Sequence, residues 1–241
     1  MSSNNSLDFG EIGNKISSRV LKVYWLIDVS GSMADDKIGS VNRAIRECIV
    51  PMREAAEEHP EIRMYVRVMK FSSSAQWHTV ETKIDDFEWS DLSVDGLTVT
   101  GEALKLMAQE LTIEKMGKRA VPPVIILMSD GEATDDYEGG INALLSERWG
   151  TKTARVAIAI GQDANIAELS KFCSNLRENP PLEAKKASDL IRFIKWASTE
   201  VPKSVSNSVI VDSEAPTCIV APPLPQVKIG ANAQGDDDAI F

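Results

Sequence analysis

Apolar residues along this chain occur in two kinds of segment. Unbroken apolar runs, such as residues 23–27 and 124–128, are typical of strands buried on both faces of a sheet. Other segments place an apolar residue at every third or fourth position, which is typical of amphipathic helices, and the longest covers residues 38–56. Because strands and helices alternate, the pattern predicts a three-layer, Rossmann-like α/β domain with a mostly parallel central sheet and helices on both faces.

The pattern also predicts where the elements lie. Strands are expected at about residues 20–28, 62–71, 76–80, 124–128, 154–160 and 182–184, and helices at about residues 38–56, 101–111, 141–149, 166–172 and 190–201. The acidic segment 81–95 is expected to be irregular. Proline lacks an amide hydrogen, so Pro51 should kink or split the first helix and Pro202 should stop the last one.

Composition changes at both ends of the predicted domain. Residues 1–17 are polar and predict a flexible segment, and residues 18–202 form the domain. Residues 203–241 are rich in serine, proline and aspartate and predict a disordered or extended tail. Within that tail, residues 209–211 form a short apolar run that favours an added strand.

Charge and cysteine content narrow the class of protein. The chain has 241 residues, 43% of them hydrophobic, with a formal net charge of -10. A nucleic-acid-binding protein would present a basic face, so this class is disfavoured. The three cysteines are far apart and form neither a disulfide framework nor a metal-ligand spacing, so burial of Cys48 and Cys173 is expected. With neither a signal peptide nor an apolar run of membrane-spanning length, a cytoplasmic location and no membrane partner are expected.

Polar side chains follow the two strongest strand predictions. Asp28, Ser30 and Ser32 come directly after residues 23–27, and Asp130 follows residues 124–128. One carboxylate and two hydroxyls form a hard oxygen set that suits Mg²⁺, Mn²⁺ or Ca²⁺, although the same residues could simply cap the next helix. Ligands of parallel sheets bind beyond the carboxyl ends of the strands, so both aspartates could face one crevice there, together with Thr98.

The stretches Asp28 to Ser32, Gly96 to Gly101 and Ser129 to Gly131 together resemble the von Willebrand factor A (vWA) domain family. The resemblance extends from about residue 21 to residue 201. The family's metal-ion-dependent adhesion site (MIDAS) uses an Asp-x-Ser-x-Ser motif, a threonine in a glycine turn and a later aspartate. The resemblance therefore implies a metal site formed by the following five residues: Asp28, Ser30, Ser32, Thr98 and Asp130. Leu97 stands where the family usually has a second glycine, which makes Thr100 the alternative threonine ligand.

The resemblance also implies a function. Family members use the bound cation, Mg²⁺ in the first instance, to bind an Asp or Glu side chain of a protein partner, without turnover. Three segments are similar to the bacterial TerY-like members associated with tellurite resistance: residues 38–58 with the following His59-Pro60, the Phe71-Ser72 turn, and residues 127–135. That subfamily implies a stress-response or signalling role beside a Ser/Thr kinase and a phosphatase.

Two other functions remain as hypotheses. An aspartate at the end of a first strand is also typical of Mg²⁺-dependent phosphohydrolases of the haloacid-dehalogenase type. Those enzymes need a second aspartate where this chain has Ser30, and a lysine for which Lys152 is a candidate. In the other hypothesis the domain is a structural adaptor whose metal site is vestigial.

The acidic residues Glu132, Asp135 and Asp136 either stabilise a helix start or select a basic partner.

Overall fold

The computed structural model describes residues 18–117, 120–174 and 180–211. Within these ranges the chain forms one seven-stranded sheet and six α-helices, and strands and helices largely alternate along the sequence. The strands are β1 (Arg19–Asp28), β2 (Ile62–Phe71), β3 (Ala75–Trp77), β4 (Thr82–Lys83), β5 (Val124–Ser129), β6 (Ala154–Ile160) and β7 (Leu182–Ala184). The helices are α1 (Asp36–Glu57), α2 (Thr100–Ala108), α3 (Ile113–Met116), α4 (Tyr137–Ser146), α5 (Ile166–Phe172) and α6 (Ala187–Val211).

The sheet is parallel except at one edge. Its strand order is β3-β2-β1-β5-β6-β7, and β4 also pairs with β2. β3 and β4 run antiparallel to β2, whereas β1, β2, β5, β6 and β7 run parallel to one another. β1 and β5 lie side by side, with Ile27 opposite Met128, so both strands end at the same edge of the sheet. This is the mostly parallel α/β architecture that the sequence predicts, and the prediction is confirmed.

Two hydrophobic cores cover the two faces of the sheet. Along β1 the side chains alternate, so Val23 and Trp25 face one core while Tyr24 and Leu26 face the other. The first core is closed by α1 and α6, and the second by α2, α4 and α5. Every residue from Leu21 to Asp28 is buried, which explains why this strand shows an unbroken apolar run.

Prolines interrupt the helices less than the sequence predicts. α1 contains Pro51 and continues as a single helix to Glu57, and α6 contains Pro202 and continues to Val211. Buried residues lie on both sides of each proline, Cys48 and Met52 in α1 and Val201 and Val205 in α6, which explains why the helices continue. The lost backbone hydrogen bond is offset by burial of apolar area.

The continuation of α6 corrects two further predictions. Residues 203–211 are helical, so the predicted disordered tail cannot begin at residue 203, and residues 209–211 are not a strand. Residues 1–17 and 212–241, which include the rest of the predicted tail and Cys218, lie outside the described residues.

The segment 81–95, predicted to be irregular, contributes to the sheet and to a core. It supplies β4 and a short 3-10 helix at Ile84–Asp86, and it buries Ile84, Phe87 and Leu92 against the first core. The sequence pattern did not predict these buried residues, because three apolar residues among many charges show neither a strand nor a helix period. Within the described part of the chain, the helices lack the length and apolar character needed to cross a membrane.

Candidate metal centre

Asp28 is fully buried at the end of β1, and its carboxylate accepts hydrogen bonds from its neighbours. Oδ1 accepts the backbone N–H of Ser30 at 2.8 Å, and Oδ2 accepts the hydroxyl of Ser129 at 2.6 Å. Burial raises the pKa of Asp28 above its ordinary value, the negative charge of Asp130 adds to the increase, and the hydrogen bonds from Ser129 and Ser30 oppose it. Because burial disfavours its negative charge, the Asp28 carboxylate would be stabilised by a nearby cation.

A chain of hydroxyls joins the first loop to Asp130. Ser30 Oγ lies 3.0 Å from Ser32 Oγ, which donates a hydrogen bond to Asp130 Oδ1 at 2.7 Å. Ser30 and Asp130 are buried, while Ser32 is exposed, so the group opens to the surface on one side. Asp130 Oδ2 also forms an ion pair with the ammonium group of Lys37.

The loop before α2 brings Thr98 to the same place. A Cβ atom at Gly131 would lie 3.6 Å from Thr98 Oγ1 and 3.8 Å from Ser32 Oγ, so both hydroxyls lie beside the Asp130 loop. Gly96 has φ of 82° and its carbonyl accepts the Gly31 N–H at 3.0 Å, which ties this loop to the first one. Thr100 is instead the first residue of α2.

Leu97, which departs from the family's glycine, does not displace the loop from the site. Its backbone N–H donates to Ser73 Oγ at 3.1 Å and its side chain is 62% exposed. The departure therefore alters the surface beside Thr98 and leaves the backbone in place.

The acidic residues after Asp130 hold helix starts. Asp135 accepts the backbone N–H groups of Gly101 at 2.8 Å and Glu102 at 2.7 Å, which caps α2 from a neighbouring loop. Asp136 accepts the Gly139 N–H at 2.9 Å and caps α4. These contacts support the capping hypothesis for the two aspartates.

Three residues that the sequence analysis did not single out support the site. Ser129 holds Asp28, Lys37 pairs with Asp130, and Thr134 donates to the Thr98 carbonyl from its N–H at 2.8 Å and from its hydroxyl at 3.1 Å. Ser129 could have been found, because it directly precedes Asp130 on the strand beside β1. Nothing local in the sequence indicates the other two.

The donor set suits a hard divalent ion. All five predicted site residues lie at the carboxyl edge of β1 and β5 and offer carboxylate or hydroxyl oxygens. Among the described residues, no group of three or more His, Cys, Asp or Glu side chains is arranged to hold a metal. A site here therefore depends on its hydroxyls, an arrangement suited to Mg²⁺ or Mn²⁺.

Comparison with known families identifies the domain. The family model for the von Willebrand factor type A domain matches residues 22–193. This chain belongs to the vWA family. The three stretches that carry the candidate site all lie within the matched residues. No curated protein sequence matches the chain significantly.

Solved structures with the vWA fold resemble this one. The pilus adhesin SpaC from Lactobacillus rhamnosus GG matches with a TM-score of 0.61 and 11% identity, covering 77% of this chain and 31% of SpaC. Proximal thread matrix protein 1 from the mussel byssus matches with a TM-score of 0.53 and 17% identity, covering 76% of this chain and 46% of the mussel protein. A second structure of the mussel protein, with a zinc-occupied MIDAS motif, matches at 16% identity with a TM-score of 0.53 and the same coverages.

At these identities the likeness concerns the fold alone. The chain spans less than half the length of either protein.

Proposed function

We propose that this vWA domain is a protein-binding module whose divalent cation, held by the MIDAS residues, takes an Asp or Glu side chain from a partner. The observation that carries the proposal is the meeting of five oxygen side chains from three loops at one edge of the sheet. The site residues are Asp28, Ser30, Ser32, Thr98 and Asp130. The zinc-occupied MIDAS motif of the mussel protein supports a metal role for a site of this kind.

The chain's own residues define what the site can do. Ser30, Ser32 and Thr98 are neutral, and the two aspartates are the charged members of the set, so a divalent ion here would keep an attraction for one more anion. When bound, the ion supplies a Lewis-acidic position for an external carboxylate. Thr134 and Ser129 hold the backbone of Thr98 and the carboxylate of Asp28, so the ligands are fixed before the partner arrives.

The proposal has no turnover step. Ser30 stands where a haloacid-dehalogenase-type phosphatase needs its second aspartate, and its hydroxyl is a poor acid at neutral pH. Lys152, the candidate lysine, lies just before β6 and therefore near the amino ends of the strands, whereas Asp28 and Asp130 follow carboxyl ends. This separation favours a binding module over a phosphohydrolase.

The cellular setting is part of the same proposal. We infer a cytoplasmic, TerY-like role in a stress-response or signalling system with a Ser/Thr kinase and a phosphatase as partners. The residues similar to that subfamily, and the burial of the free thiols Cys48 and Cys173, support it. The acidic net charge of -10 agrees with a protein partner that carries basic residues around its acidic one.

A pull-down from the native cell tests the proposal. Partner capture should require Mg²⁺, be lost in EDTA, and be lost in Asp28→Ala, because that change removes the buried carboxylate of the site. Asp36→Ala is the matched control, since Asp36 is exposed on the first turn of α1 near the site and is not one of its ligands. Equal capture by Asp28→Ala, with or without EDTA, would show instead an adaptor with a vestigial site.

A further inference from the structure

Lys37 places a positive charge inside the candidate metal centre. Its ammonium group forms an ion pair with Asp130 Oδ2 and donates a hydrogen bond to the Ser32 carbonyl at 3.1 Å. The Lys37 side chain is 20% exposed and that of Asp130 is 3% exposed, so water screens this pair weakly. Both of its partners belong to residues of the metal site.

Both carboxylate oxygens of Asp130 already have a partner in these contacts. Oδ1 accepts the Ser32 hydroxyl at 2.7 Å, and Oδ2 carries the Lys37 ammonium. A divalent ion that takes Asp130 as a ligand must therefore displace the ammonium group or share the carboxylate with it. Displacement breaks a weakly screened ion pair, and sharing places like charges close together. Either route weakens metal binding.

The backbone keeps Lys37 at the site. Lys37 is the second residue of α1, and it follows Asp35 by two positions; the φ of 61° at Asp35 turns the chain sharply into the helix. α1 itself is fixed on the first core by buried residues along its length, among them Val41 and Ile45. The lysine therefore stays within reach of Asp130 while its long side chain can swing toward solvent.

We propose that Lys37 is an intramolecular competitor of the divalent cation, an internal ammonium that lowers the metal affinity of the site and frees Asp130 only when the metal binds. The inference rests on the proposed function, because it assigns a regulation to the same site. It also implies that a partner carboxylate that attracts Lys37 strengthens metal binding, since it removes the competitor from Asp130.

Calorimetric titration with Mg²⁺ and Mn²⁺ at low ionic strength tests the proposal. Lys37→Met keeps the length and the helix propensity of the side chain and removes its charge. The variant should bind Mg²⁺ about tenfold more tightly than the wild type. Lys105→Met is the matched control, because it removes the same charge and Lys105 pairs with Asp136, the N-cap of α4, and not with Asp130. It should change the affinity by less than about twofold.

The sign of the change decides the question. If Lys37 instead orients Asp130 for the metal, Lys37→Met binds more weakly, and an unchanged or weaker affinity overturns the inference while leaving the proposed function intact. If neither protein binds a divalent ion, the proposed function fails and the inference fails with it. Metal binding by Lys37→Met alone would support the inference strongly.

Thermal unfolding gives a second measurement. In EDTA, Lys37→Met should melt below the wild type, because Asp130 loses its counter-charge. In excess Mg²⁺ the difference should shrink or reverse, because the metal then neutralises Asp130 in both proteins. A melting difference that is the same with and without Mg²⁺ would contradict competition.

Discussion

Two groups of buried carboxylates in this domain are neutralised in different ways. Glu110, with a side chain 8% exposed, pairs with Arg67 at 3.1 Å and with Lys115 at 3.0 Å. Asp28 is fully buried yet receives hydrogen bonds only from neutral donors, the Ser129 hydroxyl and the Ser30 amide, among the contacts of the described residues. Its neighbour Asp130 has one cation, Lys37.

The difference separates a structural ion cluster from a candidate binding site. In the Glu110 cluster each charge has an opposite charge beside it, and the nearby Lys22 pairs in turn with Glu81 at 2.7 Å. The charges of such a cluster already have partners, and removing one of them destabilises the fold because it leaves the other unpaired. In the metal centre the ammonium group of Lys37 pairs with Asp130, while the hydrogen-bond partners of Asp28 among the described residues are neutral, so the site keeps an unbalanced negative charge that a divalent ion can neutralise.

The largest expected effect concerns the balanced cluster. Glu110→Ala leaves Arg67, which is 20% exposed, without its carboxylate and should destabilise the fold by about 3 kcal/mol. Urea denaturation measures this loss, and Glu114→Ala, an exposed glutamate on α3, serves as the control. Mg²⁺ affinity should not change. A stable Glu110→Ala protein that binds metal more weakly would reverse the roles assigned to the two groups.

The next prediction concerns the unbalanced group and its dependence on pH. Because the pKa of Asp28 is raised in the folded protein, the fold binds that proton more tightly than the unfolded chain does. This contribution to stability is present at low pH and is lost as the pH rises through the folded pKa. Asp28→Asn lacks the charge, so in EDTA it should be more stable than the wild type at neutral pH.

Denaturation in EDTA over a range of pH checks this sign. The advantage of Asp28→Asn should vanish below about pH 4, where the wild-type carboxyl is also protonated. In excess Mg²⁺ at neutral pH the order should reverse, because only the wild type gains the binding energy of the ion. An Asp28→Asn protein less stable than the wild type in EDTA at neutral pH would contradict the idea of an unbalanced site.

The sequence predicts the fold and the candidate metal ligands better than it predicts the ion pairs and hydrogen bonds that hold them. β1 and β5 contain the unbroken apolar runs 23–27 and 124–128 because both faces of the sheet are covered there, so the strand ends and the polar residues that follow could be located from the pattern alone. The Glu110 cluster could not be found this way. Lys115 is only five residues from Glu110, but Arg67 on β2 is distant in sequence and meets Glu110 only through the tertiary fold.

The end of the last helix was predicted poorly for a related reason. Proline carries a local penalty that is visible in the sequence, whereas the burial of Val205 after Pro202 depends on how α6 packs against the sheet. The Lys37–Asp130 pair is likewise a tertiary contact. Residue types and spacing therefore predict the ligands, and only the structure shows which charges balance them.

A smaller effect is expected where a carboxylate serves as a helix cap near the metal centre. Asp135→Ala removes two hydrogen bonds to the start of α2 and should cost about 1 kcal/mol of stability. Asp136→Ala removes the cap of α4 and should also lower the stability of the fold. Only the first should also weaken Mg²⁺ binding, by about threefold, because α2 begins two residues after Thr98.

Calorimetry on both variants separates the two caps. Equal metal affinities for Asp135→Ala and Asp136→Ala would show that the start of α2 is irrelevant to the site. Loss of metal binding in Asp136→Ala would mean that the negative charges of Asp135 and Asp136 attract the ion through long-range electrostatics and not through the start of α2.

The smallest expected effect tests whether the Glu110 cluster stays neutralised when one of its two cations is removed. Lys115 is 56% exposed, so its pair with Glu110 is screened by water, and Lys115→Met should cost only about 0.5 kcal/mol because Arg67 still pairs with Glu110. Lys37→Met, by contrast, leaves Asp130 without a cation. Urea denaturation of both variants in EDTA should therefore give the larger loss for Lys37→Met, although each removes one lysine. Equal losses would mean that the two carboxylate groups are neutralised to the same degree, and the distinction between a structural cluster and a cation site would then have to rest on the hydroxyls alone.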